Sequence, residues 1–196
     1  MTRWFAYLIL MLSLAGCAST PPAVQVQQLN PVAALPFELD GRIALRYQDQ
    51  SSTAGLHWSH SVAQDVVTLS SPLGSTLAVL TRNKDGVSLI DSEQRMHQAQ
   101  DSRELTEKLL GVKLPLDYLA YWVLGQAVPN VTYQTEMDAA ATLARLQQAG
   151  WVINYQRWQM LGDLNVPNKL MVVGEGSELR MVITQWKIEQ AGVWKQ

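Results

Sequence analysis

The side chains that could perform chemistry in this chain are few, and their spacing excludes most kinds of reactive site. Cysteine occurs once, as Cys17, so the chain cannot form an intramolecular disulfide or a zinc site built on thiolates. His57 and His60 lie three positions apart in a predicted strand, where they point to opposite faces and cannot share a metal ion, and His97 is the third histidine. The sequence contains no Gly-rich phosphate loop, nucleophile elbow or zinc-protease motif. We therefore expect no catalytic residues, no metal site and no cofactor.

Cys17 has neighbours that indicate a different chemistry, acylation. It follows the small residues of 14–16, at the end of an apolar run over 4–15 that begins after Arg3. A cation, a short apolar region and small residues form a secretory signal, and the run is shorter than the roughly 20 residues of a membrane-spanning helix. A cysteine directly after Leu-Ala-Gly resembles the bacterial lipobox, which implies removal of residues 1–16 and lipidation of Cys17. Ala18, by resemblance to sorting in Gram-negative lipoproteins, favours the outer membrane. The alternative is an ordinary secreted protein with a cysteine near its cleavage site.

Composition and charge limit the possible partners and the number of domains. The chain has a net charge of −2, and loss of the signal would leave 14 cations and 17 acids. This balance argues against nucleic-acid binding, which needs a strongly basic face. Residues 17–36, rich in Pro, Gln and Ala, are predicted to form the lipidated N-terminus and a flexible tether. Residues 37–196 are long enough for one domain with a sizeable core.

The domain is predicted to be mainly β with two helices. Residues 37–47 alternate between apolar and polar side chains, as expected of a half-buried antiparallel strand. Further strands are predicted at 55–60, 65–70, 75–82, 86–91, 95–99, 130–135, 151–158, 169–173 and 178–187. Asp40, Asp65 and Asp91 are expected to be solvated strand or turn residues.

Two segments carry helix signals, and a third is ambiguous. Asp101 and Glu104 have the spacing of a capping box, which predicts a helix that ends near Gly111. Pro115 favours the start of a second helix that ends near Gly125. In segment 137–148, the Ala and Leu content favours a helix, whereas the position between predicted strands, with Gly150 as a turn, favours the first arm of a hairpin. We expect a helical turn leading into a short strand there.

A turn at residues 71–74 places an apolar side chain where hairpins are normally polar. Pro72 suits the second position of a type I turn and Gly74 suits the fourth, so Leu73 is expected at the tip of the hairpin. Leu73 could fold back onto the sheet as a packing residue, or it could project as an apolar group able to enter lipid.

Seven tryptophans against two phenylalanines point to an unusual apolar interior. Trp is large and amphipathic, and it favours boundaries between apolar and wet surroundings. Trp58, Trp122, Trp151 and Trp186 could each be a core residue or line a cavity, and we expect them to line a cavity.

Several motifs, in this order, resemble the LolB family of outer-membrane lipoprotein receptors. They are residues 39–44 (LDGRIA), 56–58 (LHW), 71–75 (SPLGS), 114–116 (LPL), 121–125 (YWVLG), 150–155 (GWVINY), 166–167 (VP) and 183–186 (ITQW). The resemblance implies an incomplete, strongly curved antiparallel β-barrel with helices lidding an apolar cavity. It also implies a non-enzymatic monomer that accepts lipidated cargo lipoproteins from the periplasmic carrier LolA and inserts them into the inner leaflet of the outer membrane. In the family, the exposed Leu that matches Leu73 is needed for insertion into lipid.

Two hypotheses of other classes remain open at this point. One is a structural or assembly lipoprotein that binds a protein partner through its exterior. The other is a lipid-anchored periplasmic hydrolase, which would need a clustered acid–base pair that the sequence does not display.

Overall fold

One antiparallel sheet of eleven strands dominates the computed structural model, which describes residues 34–188. The strands are β1 (Phe37–Tyr47), β2 (Gln50–His60), β3 (Asp65–Ser70), β4 (Thr76–Asn83), β5 (Gly86–Asp91), β6 (Met96–Ala99), β7 (Tyr133–Met137), β8 (Leu143–Gln148), β9 (Trp151–Leu161), β10 (Leu164–Gly174) and β11 (Ser177–Ile188). Two helices, α1 (Ser102–Leu110) and α2 (Leu116–Trp122), lie between β6 and β7 in the sequence.

The two halves of the chain form two meanders that join along β1 and β11. The order across the sheet is β6-β5-β4-β3-β2-β1-β11-β10-β9-β8-β7. Within each meander, strands that are consecutive in the sequence pair with each other, and the first strand pairs with the last. Because β6 and β7 are the two edges and do not pair with each other, the curved sheet stays open. The predicted incomplete antiparallel barrel is confirmed, as is its mainly β composition.

Alternation in β1 places one face of the sheet against the core and the other outside. Phe37 and Leu39 are buried, whereas Arg42 is exposed. The register with β11 shifts between Asp40 and Gly41. A side chain at Gly41 would collide with the carbonyl oxygen of Val182, so only glycine permits this close approach. A bulge of this kind bends the strand and increases its twist, which helps to curve the sheet.

The predicted helices are present, with local features that explain their ends. Asp101 caps α1, because its side chain accepts a hydrogen bond from the backbone N–H of Glu104 at 2.9 Å. Gly111 ends α1 in the left-handed conformation, with φ of 73°. Pro115 is the residue that precedes α2, and α2 ends at Trp122, three residues before Gly125. Neither helix in the described part of the chain is long and apolar enough to cross a membrane.

The expectation of a helical turn within 137–148 is wrong, because this segment belongs to the β7–β8 hairpin, whereas the short strand expected after it is confirmed as β8. Asp138 organises the connecting turn, and its carboxylate accepts hydrogen bonds from the backbone N–H groups of Ala140 and Thr142, both at 2.9 Å. Ala141 takes a positive φ of 58°, which closes the turn. Side-chain hydrogen bonds from Asp to nearby backbone favour turns over helices, and here they outweigh the helix propensity of Ala.

Candidate functional site

An apolar cavity of about 260 Å³ lies between the inner face of the sheet and the two helices. None of its lining residues is charged, and three are polar: Ser52, Thr53 and Thr106. The apolar walls come from β1 to β5, from β11, and from α1, α2 and their connection. These apolar residues are Ile43, Leu45, Ala54, Leu56, Trp58, Val67, Leu69, Leu77, Ala78, Leu80, Leu89, Leu110, Leu114, Leu116, Leu119, Leu179 and Met181.

The cavity has an exposed mouth and a buried end. At the mouth, Leu77 at the start of β4 is 39% exposed and Leu110 at the end of α1 is 49% exposed. Ser52 and Thr53 of β2 are also exposed there. Trp58, farther along β2, is only 2% exposed. The cavity therefore opens between β2, β4 and the C-terminal end of α1, and its wall extends inward to Trp58.

A buried polar cluster fixes Trp58. Asp65 is 0% exposed, and its carboxylate accepts hydrogen bonds from the Trp58 indole Nε1 at 2.8 Å and from Arg82, while His60 Nδ1 lies 2.6 Å from it. Phe37 stacks on the His60 ring, with centroids 5.0 Å apart. The expectation that Asp65 is a solvated residue is wrong, because strand pairing places it between these donors. His60, Asp65 and Arg82 occupy one row across β2, β3 and β4, and this row exists only once the three strands are in register.

Two hydroxyl groups hold the helical lid together. Ser102 Oγ accepts a hydrogen bond from the backbone N–H of Leu116 at 3.0 Å. Thr106 Oγ1 accepts one from the N–H of Leu114 at 2.9 Å and donates one to the Ser102 carbonyl at 2.8 Å. These bonds tie the α1–α2 connection to α1, so the two helices are linked as one cover over the cavity. The sequence analysis did not single out either hydroxyl.

The four selected tryptophans do not share one site. Trp58 lines the cavity, whereas Trp122, Trp151 and Trp186 are buried elsewhere and are not among its lining residues. For these three, the cavity-lining expectation is corrected to a core position. The reason is that α2 packs against the other half of the sheet, where the rings of Trp122 and Trp151 lie 6.2 Å apart.

Specific hydrogen bonds link buried polar side chains in the other half of the core. The side chain of Gln148 accepts from the Trp122 indole at 3.0 Å and from the Val128 N–H at 2.8 Å, and it donates to the carbonyls of Val128 and Val131. The Tyr155 hydroxyl donates to the Trp122 carbonyl at 2.9 Å, and burial raises the pKa of Tyr155. Fully paired groups of this kind make a rigid core.

Leu73 lies at the tip of the β3–β4 hairpin and is 97% exposed. The turn is held by its flanks: the Gly74 N–H donates to the Ser71 carbonyl at 2.9 Å, and the Ser71 N–H donates to the Ser75 carbonyl at 2.8 Å. The hydroxyls of Ser71 and Ser75 lie 2.7 Å apart. Pro72 is exposed, and Gly74 takes a φ of 88°. The Leu73 side chain therefore projects into solvent and does not fold back onto the sheet.

The remaining histidine and aspartate pairs lie near the surface. His57 Nδ1 is 2.8 Å from the carboxylate of Asp40, and both side chains are 47% exposed. Asp91 closes the β5–β6 turn, and a hydrogen bond from His97, followed by bonds from Arg95, holds the pKa of Asp91 well below its usual range. Within residues 34–188, no group of three His, Cys, Asp or Glu side chains is arranged to hold a metal ion. Cys17 lies outside the described residues.

Two solved structures share this arrangement at low sequence identity. A DUF1329-family protein from Desulfovibrio piger superimposes with a TM-score of 0.53 at 7% identity, over 82% of this chain and 88% of that one. A LolA-superfamily protein from Nitrosomonas europaea superimposes with a TM-score of 0.50 at 8% identity, over 82% of this chain and 89% of that one. At such identities, the likeness establishes the fold alone.

The sequence comparisons are more specific. A family model described as outer membrane lipoprotein LolB matches residues 35–186. An outer-membrane lipoprotein LolB of Nitrosomonas europaea is 30% identical over 92% of this chain and 90% of the relative. The LolB protein of Pseudomonas paraeruginosa is 33% identical over 85% of this chain and 80% of the relative. The LolB protein of Chromobacterium violaceum is 32% identical over 95% of this chain and 100% of the relative. Because the match spans nearly the whole described domain, this chain belongs to the LolB family of outer-membrane lipoproteins.

Proposed function

We propose that this protein accepts the acyl chains of lipidated proteins from the periplasmic carrier LolA and releases them into the inner leaflet of the outer membrane. Membership of the LolB family supports a role in lipoprotein localisation at the outer membrane. The observation that carries the finer proposal is an uncharged cavity whose mouth begins at Leu77, four residues after the exposed Leu73.

Uptake depends on the chemistry of the cavity walls. An acyl chain gains about 25 cal/mol for each Å² of apolar surface that leaves water, and it meets no charged lining residue here. The volume of about 260 Å³ is slightly below the roughly 300–1,000 Å³ of typical ligand pockets. We expect the cavity to enlarge on loading, at its mouth beside the exposed Leu109 and Leu110 of α1.

Release depends on Leu73. Transfer of one Leu side chain from water into lipid contributes about 1.5–3 kcal/mol, which is enough for a transient contact with a bilayer and too little for permanent attachment. A lipidated Cys17 would supply the permanent anchor, and the tether predicted over 17–36 would let the domain move between the carrier and the membrane. The predicted tether is shorter at its C-terminal end, because Ala34 is buried in the core and Leu35 packs against it. The protein acts as a monomer, without catalysis or a cofactor.

The test separates uptake from insertion with two substitutions. Leu73→Glu leaves the cavity intact, so uptake from LolA is retained, but insertion into vesicles fails because a charge opposes entry into lipid. Ala54→Trp places an indole in the wall of the cavity, so uptake itself is lost. The measurement is a two-step transfer of labelled lipoprotein, first from LolA to this protein and then to vesicles.

Matched controls keep the result interpretable. Leu73→Ile keeps the apolar contact and should preserve insertion. Ala44→Trp adds the same indole to the outer face of β1, beside the inward-facing Ile43 and Leu45, and should preserve uptake. Loss of uptake with Ala44→Trp but not with Ala54→Trp would contradict the cavity proposal and favour a partner that binds the exterior.

A further inference from the structure

A row of cations crosses the outer face of the sheet. Strand pairing places Arg42 of β1 opposite Val182 of β11, Val182 opposite Lys169 of β10, and Lys169 opposite Arg157 of β9. Arg42 and Arg157 are exposed, Lys169 is half-buried, and Val182 is 43% exposed. The core lies on the opposite face, because the neighbours of Val182 on β11, Met181 and Ile183, are each only 2% exposed. We call Arg42, Lys169 and Arg157 the cationic row.

Among the residues that the structure describes, these three cations have no acidic partner. Of the thirteen Lys and Arg residues in 34–188, nine form an ion pair with a carboxylate. The four that do not are the cationic row and Arg103, which lies over the ring of Tyr118. Asp40, two positions before Arg42 on β1, pairs instead with His57. The chain as a whole is acidic, so these unpaired positive charges on one face form a basic patch that differs from the rest of the molecule.

The cationic row leads to the base of the Leu73 turn. Arg42 pairs with Gly55 of β2, and Gly55 pairs with Ser70, the last residue of β3. Two strand spacings, about 10 Å, therefore separate the Arg42 backbone from Ser70. The turn that projects Leu73 begins at the next residue. The row and the exposed Leu73 are thus parts of one continuous stretch of surface.

We propose that the cationic row binds the phosphate groups of anionic phospholipids when Leu73 enters the bilayer. This inference rests on the proposed function for the contact between Leu73 and lipid, and it adds the class of lipid that the surface favours. Two unpaired guanidinium groups are well suited to phosphate oxygens, because the guanidinium presents several donors in a planar fork. The exposed Val182 between Arg42 and Lys169 fits the apolar part of a lipid headgroup region better than an aqueous acidic peptide.

The experiment measures vesicle binding in the absence of cargo. The mature chain, residues 17–196 with Cys17→Ala so that no lipid anchor contributes, is mixed with vesicles of phosphatidylcholine alone or of equal parts phosphatidylcholine and phosphatidylglycerol. We expect preferential binding to the second kind, weakened by salt. Each charge removed should lower this binding about fivefold, so the triple variant Arg42→Gln, Lys169→Gln, Arg157→Gln should lose about a hundredfold.

A control triple removes the same charge from elsewhere. Lys84→Gln, Lys113→Gln and Lys187→Gln each affect a cation that is paired with an acid, and together they should leave the preference for phosphatidylglycerol intact. Equal losses in the two triples would overturn the proposal, because overall charge would then explain the binding. Thermal melts identify a variant that has lost its fold.

Two further outcomes complete the test. The double variant Arg42→Lys, Arg157→Lys keeps both charges but loses the guanidinium forks, so it should bind more weakly than the wild type and more strongly than the Gln triple; binding as weak as that of the Gln triple would overturn the proposal. If the Gln triple binds vesicles normally but slows the hand-over of cargo from LolA, the row serves a protein partner and the proposal is wrong. Failure of cargo uptake with normal vesicle binding would contradict only the proposed function.

Discussion

Replacement of Asp65 by Ala should destabilise the protein far more than replacement of Asp40. Each carboxylate lies beside a histidine, His60 at 2.6 Å and His57 at 2.8 Å, and both histidines are on β2. The two pairs differ chiefly in burial, because Asp65 is 0% exposed while the side chain of Asp40 is 47% exposed. The comparison therefore contrasts a buried carboxylate that serves Trp58, His60 and Arg82 with an exposed carboxylate beside His57.

The expected magnitude follows from what each carboxylate leaves behind. Removal of Asp65 strands the Trp58 indole N–H, the His60 ring and the Arg82 guanidinium, which then lose their common acceptor. Breaking a buried ion pair by removing one partner costs about 3–5 kcal/mol. Removal of Asp40 costs about 0–1 kcal/mol, because water replaces the lost contact. For a chain of this size, 1 kcal/mol shifts the thermal midpoint by about 2–4 °C. The thermal midpoint of Asp65→Ala should therefore lie about 6–20 °C below that of the wild type, and the midpoint of Asp40→Ala no more than about 4 °C below it.

The assay is thermal unfolding followed by circular dichroism, with tryptophan emission as a second readout. Asp65→Ala should also change the emission of the folded protein, since Trp58 loses its hydrogen bond. Asp65→Asn keeps the shape and one acceptor, and should lie between the wild type and Asp65→Ala. Equal thermal midpoints for Asp65→Ala and Asp40→Ala would refute the argument that the buried cluster fixes this end of the cavity.

Two further predictions concern the ligand and the pH. Binding of an apolar probe should shift tryptophan emission in the wild type and in Trp186→Phe but not in Trp58→Phe, because Trp58 alone among the four selected tryptophans lines the cavity; a shift retained in Trp58→Phe would contradict this. The hydrogen bond from His97 is the main cause that lowers the pKa of Asp91 in the folded protein from its ordinary value of 3.8. The ionised Asp91 therefore stabilises the fold at pH values above 3.8, and this stabilisation is lost as the pH falls through the lowered pKa. Asp91→Asn should therefore lower the thermal midpoint at neutral pH, with a deficit that shrinks in acid, and a deficit of constant size would count against the pair.

The sequence predicted the local features of this fold well. Alternation identified β1, the cap at Asp101 identified the start of α1, and the Pro72–Gly74 turn placed Leu73 at a hairpin tip. These features depend on residues close together in the chain, whose backbone preferences are fixed locally. The strand β2 is longer than predicted, beginning at Gln50 and not at residue 55, because pairing with β1 holds its polar first residues in an extended conformation.

Burial of charge could not be predicted in the same way. Asp65 follows a polar turn and reads locally as a solvated residue. Its surroundings are made by His60 and Arg82, which join it only when β2, β3 and β4 align in register. The same limit applies to the hairpin over residues 137–148, where composition favoured a helix but the turn at Asp138 and pairing with β9 decided the structure.

The position of the cavity depends on where the helices cover the sheet, which no local pattern encodes. Alternation directs Trp58 inward but does not distinguish a packed interior from a cavity wall. Trp186 faces inward only because the bulge between β1 and β11 interrupts the alternation of β11. In one half of the molecule, α2 brings Trp122 against Trp151 and fills the space with paired aromatic groups. The other half, over β2 to β4, is spanned by α1 and its connection, and its wall includes small side chains such as Ala54. The unequal filling of one continuous sheet thus leaves an apolar space on the side where the Leu73 turn projects.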